Sequence, residues 1–220
     1  MTREERASVE PMALFGGTFD PVHYGHLRCA DEARRKLGLQ HLYLLPAGSP
    51  PLRGTPQASV TQRLEMLQLA CAEFPRFLVD DRETRRNGPS YMADTLQELR
   101  TSFADRPLLL LIGQDAANQL HRWHHWQSLF ELANIVILTR PGAPSDYPHE
   151  LAQQLQPRSV SAVQELSAAR AGAVLHLEVE SIDVSASKIK QLIRAGRSPG
   201  SMLPAAVLRY INEHRLYLTA

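Results

Sequence analysis

The sequence is poor in cysteine: Cys29 and Cys71 are the only two among 220 residues. Two thiols form neither a disulfide framework nor a zinc-ligand spacing, and each falls inside a helical pattern where it packs as a small apolar side chain. An excess of one charge is lacking too. Lys and Arg number 24 against 23 Asp and Glu, a formal net charge of +1 without blocks of either sign. Nothing global then points to nucleic acid or an anionic membrane, and any anion site has to be local. No apolar run reaches bilayer-spanning length, and the N-terminal MTREERASVEP lacks the apolar core of a signal peptide. These absences predict a cytoplasmic protein with no membrane or nucleic-acid partner. Its length suits one α/β domain over residues 11 to 220, preceded by a loose leader over residues 1 to 10. Internal repeats and low-complexity segments are missing as well.

What is present centres on Met12 to Leu27, MALFGGTFDPVHYGHL. The apolar run Met12 to Phe15 reads as a strand, and a helical pattern begins near Gly25. Between them, Gly16 and Gly17 are free to take positive φ and to bring bare backbone N–H groups against an anion. Asp20-Pro21 fixes a turn. His23 and His26 fall three apart where the helix opens, and the positive end of that helix favours negative charge at the same place. Two imidazoles and a helix N-terminus would meet one phosphate group.

The rest alternates in the same manner. His26 to Leu37 carries Leu27, Ala30, Ala33 and Leu37 at helical spacing, with Gly38 as a C-cap. Leu42 to Leu45 is a short apolar strand of the doubly covered kind, followed by the rigid Pro46-Ala47-Gly48-Ser49-Pro50-Pro51. Ser59 to Glu73 is helical, with Val60, Leu64, Leu67 and Cys71 on one side, and Phe77 to Val79 is a third strand. The loop Asp80 to Pro89 carries Arg82, Arg85 and Arg86, either an anion site or a solvated loop. Ser90 is expected to cap a helix to about Phe103, with Asp94 near enough to its start to suit the dipole.

Leu108 to Ile112, the most apolar strand, runs into a second glycine turn, Gly113-Gln114-Asp115. In Leu120 to Trp126, LHRWHHW, Trp126 is assigned to the core and Trp123 to a ligand site, while the irregular histidine offsets argue against a metal site. Ile135 to Leu138 is a fifth strand, ended by Thr139-Arg140-Pro141-Gly142. Ala143 to Gly172 reads as peripheral helix, and Val174 to Val179 as the last strand. Val184-Ser185-Ala186-Ser187-Lys188-Ile189-Lys190 opens a helix to about Ala195, with Ser185 as N-cap. A lysine near a helix start opposes the dipole unless an anion offsets it, which marks Lys190. Pro204 then begins a final amphipathic helix through Leu208, Ile211 and His214. The pattern is that of a Rossmann-like, doubly wound parallel sheet with helices on both faces and a small helical C-terminal part. Its switch point is expected between the first and fourth strands, where both glycine turns border one crevice.

The stretch GGTFDPVHYGH resembles the G-x-F-x-P-x-H-x-G-H signature of the nucleotidylyltransferase superfamily, filled by Gly17, Phe19, Pro21, His23, Gly25 and His26. LPAGSPP with Arg53, RNGPSY with Asp94-Thr95-Leu96, LIGQDAANQLHRWHHW, TRPG and VSASKIK follow in order. With them the chain from Met12 resembles the bacterial nicotinate-mononucleotide adenylyltransferase family. The resemblance implies that ATP meets Gly16, Gly17, Thr18, Phe19, His23, His26, Gly113, Asp115, Ser185, Ser187 and Lys190, with His23, His26 and Lys190 carrying the catalysis. It also implies that nicotinate mononucleotide meets Arg53, Ser90, Tyr91, Met92, Trp123 and His124, and that Mg²⁺ arrives with ATP, without a metal site in the protein. The chain departs from the family at Leu52, where a histidine is frequent, and at Lys190, where arginine is usual.

Rival readings remain. Phosphopantetheine adenylyltransferase shares the first loop and the fold but leaves RNGPSY and the Trp123 block unexplained. A class I aminoacyl-tRNA synthetase core fits HYGH and VSASK, yet the chain is short for an anticodon-binding domain and has no basic face. A non-catalytic ATP sensor would keep the glycine loops without needing both histidines, and an oxidoreductase lacks the G-x-G-x-x-G spacing.

Overall fold

The computed structural model describes residues 10 to 52, 54 to 140, 145 to 180 and 182 to 219. β1 (Met12–Gly17) leads into α1 (Tyr24–Lys36), β2 (Leu42–Pro46), α2 (Val60–Cys71), β3 (Phe77–Val79) and α3 (Met92–Ser102). β4 (Leu108–Gly113) follows, then the single turns α4 (Gln114–Ala117) and α5 (Leu129–Leu132), then β5 (Asn134–Thr139). The chain continues through α6 (His149–Leu155), β6 (Ser159–Val160), α7 (Val163–Ala168), β7 (Val174–Glu178), α8 (Ala186–Arg194) and α9 (Ala205–Glu213).

All the strands join one sheet in the order β3-β2-β1-β4-β5-β7-β6, and every pairing is parallel. The order reverses at β1 and β4, which lie side by side with Phe15 opposite Leu111. Gly17 and Gly113 therefore end adjacent strands at the ligand-binding edge of such a sheet. Alternation along β1 builds two cores. Ala13 and Phe15 face one that takes Leu27 and Ala30 of α1, Met66 of α2, Ile189 of α8 and Val207 of α9. Met12 and Leu14 face the other, with Leu96 of α3, Phe130 of α5 and Leu151 of α6. Both faces are covered, which is why the strands read as unbroken apolar runs.

Local rules explain several boundaries. α1 ends where Gly38 takes φ +66, with Gly38 N–H bonded to Arg35 O and Leu39 N–H to Arg34 O, a left-handed C-terminal turn. Ser59 starts α2 through a full capping box with Gln62. Cys29 and Cys71 pack against the first core, and burial pushes both thiols up to about 11.

Some expectations are corrected. Gly16 and Gly17 belong to β1, paired with Leu45 and Pro46, and neither has positive φ; in this loop Phe19 does. The stretch expected as peripheral helix contains two short helices and the edge strand β6, whose two residues are too few to leave a periodicity. The buried stripe of α2 is Arg63, Met66, Leu67 and Ala70, one position round from the expected face. Glu10, assigned to the leader, is tied down, since its carboxylate accepts from Gln40 N–H and its carbonyl from Arg106.

Candidate active site

Three loops meet at the C-terminal edge of β1 and β2, and missing side chains let them do so. A Cβ on Gly16 would lie 3.1 Å from Met92 Cε, and one on Gly17 would lie 2.9 Å from the Phe19 ring. One on Gly25 would lie 2.9 Å from both the His23 ring and the Val184 carbonyl oxygen. The last contact brings the start of α8 against the start of α1, so two helix N-termini share one place.

His23 stands as the N-cap of α1, with its carbonyl accepting from His26 and Leu27 N–H. Its ring stacks on that of His26 at 3.7 Å, and Phe19 meets His26 edge-on at 5.2 Å. His23 is 5 % exposed, and its Nδ1 has no hydrogen-bond partner among the described residues. Burial drives its pKa down to about 4. The imidazole is therefore neutral near pH 7, a hydrogen-bonding group more than a charge. Ser185 caps α8 by accepting from Lys188 N–H, as expected, and both Ser185 and Ser187 are exposed.

Lys190 is not left facing the dipole alone, because its ammonium pairs with Asp20. Asp20, read from sequence only as a turn residue, is a hub. Its carboxylate also accepts from Tyr217 OH at 2.7 Å and from the N–H groups of Gln57 and Ala58. Burial alone would raise its pKa, yet the bonds from Lys190, Tyr217, Gln57 and Ala58 outweigh that and hold it below the usual carboxylate value.

The loop after β2 is fastened twice. The Arg63 guanidinium, buried at 1 % exposure, donates to the carbonyls of Thr18, Ala47 and Gly48 at 2.8, 2.6 and 2.8 Å. Ser90 Oγ accepts from Gly48 and Ser49 N–H at 2.9 and 3.1 Å. Ser90 therefore braces this loop and does not cap α3, whose N-cap is Tyr91. Beneath it, the buried Glu83 accepts from Thr95 OH at 2.7 Å, and burial raises its pKa against the pull of Thr95, Arg86 and Ser90. Arg63, Asp20, Glu83 and Tyr217 were missed by sequence reasoning. Only Arg63 left a signal, as a lone cation in the Met66, Leu67, Ala70 stripe.

On the other side of the crevice, Tyr91 at the head of α3 stacks on His124 at 4.1 Å. Trp123 and Met92, both partly buried, pack against the second core, while Trp126 lies inside it. Of the residues expected to meet the acceptor, Tyr91 and His124 touch each other, and Met92 and Trp123 pack against one core. Gly113 is the N-cap of α4, with Asp115 exposed in its first turn. The arginine loop is neutralised: Arg82 pairs with Asp80 and Glu98, Arg85 with Asp81, and Arg86 with Glu98. Arg53, Pro141 and Gly142 lie outside the described residues.

The switch point of this doubly wound sheet thus carries two histidines, two converging helix N-termini and a lysine, an arrangement suited to receiving an anion. A cytidylyltransferase-like family model matches residues 14 to 192. The probable nicotinate-nucleotide adenylyltransferase of Aeromonas hydrophila is 43% identical over 210 residues, covering 96% of this chain and 98% of the relative. That of Dechloromonas aromatica is 43% identical over 212 residues, covering 94% and 98%. The chain belongs to the nicotinate-nucleotide adenylyltransferase family. Among solved structures, a Plasmodium falciparum nicotinic acid mononucleotide adenylyltransferase complexed with NaAD shares the fold, with TM-score 0.73, 12% identity, and coverage of 94% of this chain and 97% of that one.

Proposed function

We infer that the enzyme transfers the adenylyl group of ATP to nicotinate mononucleotide, giving nicotinate adenine dinucleotide and pyrophosphate. A phosphate oxygen of the mononucleotide attacks the α-phosphorus of ATP in line. One P–O bond forms there, the bond to the β-phosphate oxygen breaks, and pyrophosphate leaves. Both reactants are anions, so alignment and charge stabilisation carry the catalysis. The observation behind this reading is the His23–His26 stack at the start of α1, with the start of α8 closed onto Gly25. His23, neutral near pH 7, and His26 would donate to the phosphates, Lys190 and the α8 N-terminus with Ser185 and Ser187 would hold the triphosphate, and Gly113 with Asp115 would border the nucleoside.

The acceptor reading rests on the aromatic group of Tyr91, Trp123 and His124. Trp123 would stack on the pyridine ring, and N–H groups near Met92 and His124 would take its carboxylate. Arg53 is proposed to bind the acceptor, on the family resemblance. Among the described residues no three His, Cys, Asp or Glu side chains gather as cation ligands, and Asp20 is saturated by four donors. This donor set suits phosphate. Mg²⁺ is accordingly assigned to the ATP phosphates, its common mode, where it offsets their charge. No described helix is long and apolar enough to cross a membrane, and the free thiols of Cys29 and Cys71 fit the reducing cytoplasm proposed for it.

The test is pyrophosphate release from ATP and Mg²⁺ with nicotinate mononucleotide, nicotinamide mononucleotide or phosphopantetheine. Release is expected with the first and much less with the second. Equal efficiency with both pyridine nucleotides would refute the carboxylate contact. Silence with all three, in protein that binds ATP, would support the sensor.

A further inference from the structure

The end of the chain reaches the nucleotide side of the crevice. After α9, Arg215 and Tyr217 both adopt positive φ, 52° and 64°, a region that residues with a Cβ avoid. Such outliers persist where the surroundings over-determine them, and they cluster at functional sites. Here the turn drives the Tyr217 ring to 5 % exposure and its hydroxyl onto Asp20 at 2.7 Å. The Lys190 ammonium lies 4.9 Å from the centre of the same ring and pairs with the same carboxylate. Arg194 of α8 donates to Gln57 Oε1 at 3.2 Å, and Gln57 donates to Asp20 and on to Thr219 O. The tail, the first loop and α8 are thus one hydrogen-bonded unit.

The bonds divide evenly over Asp20. One oxygen takes Lys190 and Gln57 N–H, and the other takes Tyr217 and Ala58 N–H. A carboxylate that loses one donor holds the others more tightly, since the same negative charge is shared among fewer partners. We propose that Tyr217 is a positioning residue for the triphosphate: its hydroxyl shares Asp20 with Lys190, and its ring faces the ammonium, so that the paired ammonium is held in one direction. The proposal rests on the reading of Lys190 as a triphosphate ligand.

The experiment is a cycle of Tyr217→Phe and Lys190→Gln, with kcat and the KM of each substrate read from pyrophosphate release and ATP binding read by calorimetry. Y217F is expected to raise the ATP KM about 3- to 10-fold, the scale of one hydrogen bond, while kcat and the KM for nicotinate mononucleotide change less than about twofold. In the K190Q background Y217F should add nothing. An unchanged ATP KM in Y217F, a shift of the same size in the K190Q background, or an equal rise for both substrates overturns the proposal. If Lys190→Gln alone leaves ATP binding intact, the lysine reading itself is at fault, and the single variant reveals that separately. Should Y217F not fold, the isosteric Asp20→Asn misaligns the same lysine and should raise the ATP KM by a similar factor; no change there also overturns it.

Discussion

The two sides of the crevice are built in opposite ways. The side proposed for the nucleotide is main chain and buried polar groups: the ends of β1 and β2 tied by Arg63, the capped start of α8, the enclosed His23, and Asp20 with four donors. The side proposed for the acceptor is a set of rings on short turns, with His124 and His125 exposed, Trp123 half-buried, and Tyr91 stacked on His124. A triphosphate is a ligand whose recognition needs N–H groups and positive charge held still. A flat acceptor is chosen by faces, and faces on loops are the easier part to vary. On this proposal the hydrogen-bonded frame serves the nucleotide and the loop-borne rings serve the acceptor.

Breaking the nucleotide side should have the largest effect. His26→Ala is expected to fold, by circular dichroism and thermal unfolding, and to lose on the order of 10²-fold or more in kcat; near-normal turnover would remove His26 from the mechanism. The enclosed His23 also predicts a one-sided pH response. Its folded pKa of about 4 lies below the ordinary 6.5, so the unfolded chain binds more protons between those values. Its contribution is complete above pH 6.5 and is lost as pH falls towards 4, by on the order of 2 to 3 kcal/mol. Urea unfolding of wild type and His23→Gln at pH 4.5 and 7 measures it, and a parallel pH loss in both would rule it out.

Gly48→Ala probes the fastening between the sides, since the added methyl would sit 2.4 Å from the Glu83 carbonyl oxygen. A loss of about 1 to 3 kcal/mol in stability is expected from such overpacking, and an unchanged Tm would show that the loop after β2 moves freely. The last probe touches the acceptor side. Trp123→Ala should weaken nicotinate mononucleotide by about 1 to 3 kcal/mol, the worth of a stacked base, while ATP affinity holds. A loss shared by both substrates would erase the distinction between the two sides.

The same distinction governs what could be read in advance. The first loop lies in one contiguous stretch, so residue types and spacing placed His23 and His26 together at a helix start, and apolar runs placed β1 to β5 and β7; the approach of Val184 to Gly25 could not be read there. Trp126, assigned to the core, is buried there, and Trp123 packs partly buried against the same core. Asp20, Glu83 and Tyr217 could not be found this way, because their roles depend on partners far away in the chain, Lys190 and Tyr217 for Asp20, Thr95 for Glu83. Ser90 looked like a cap because hydroxyls before helices commonly are; its oxygen serves another loop. β6 is too short to carry a pattern.

Arg63 has a consequence for how the family can change. Among the described residues its guanidinium binds peptide oxygens, those of Thr18, Ala47 and Gly48, and so acts like a resident cation that is indifferent to the side chains it gathers. Replacements along the two loops leave that clamp intact wherever the backbone path is kept. The crevice can exchange one acceptor for another while its frame stays in place, which gives a single scaffold room to diverge.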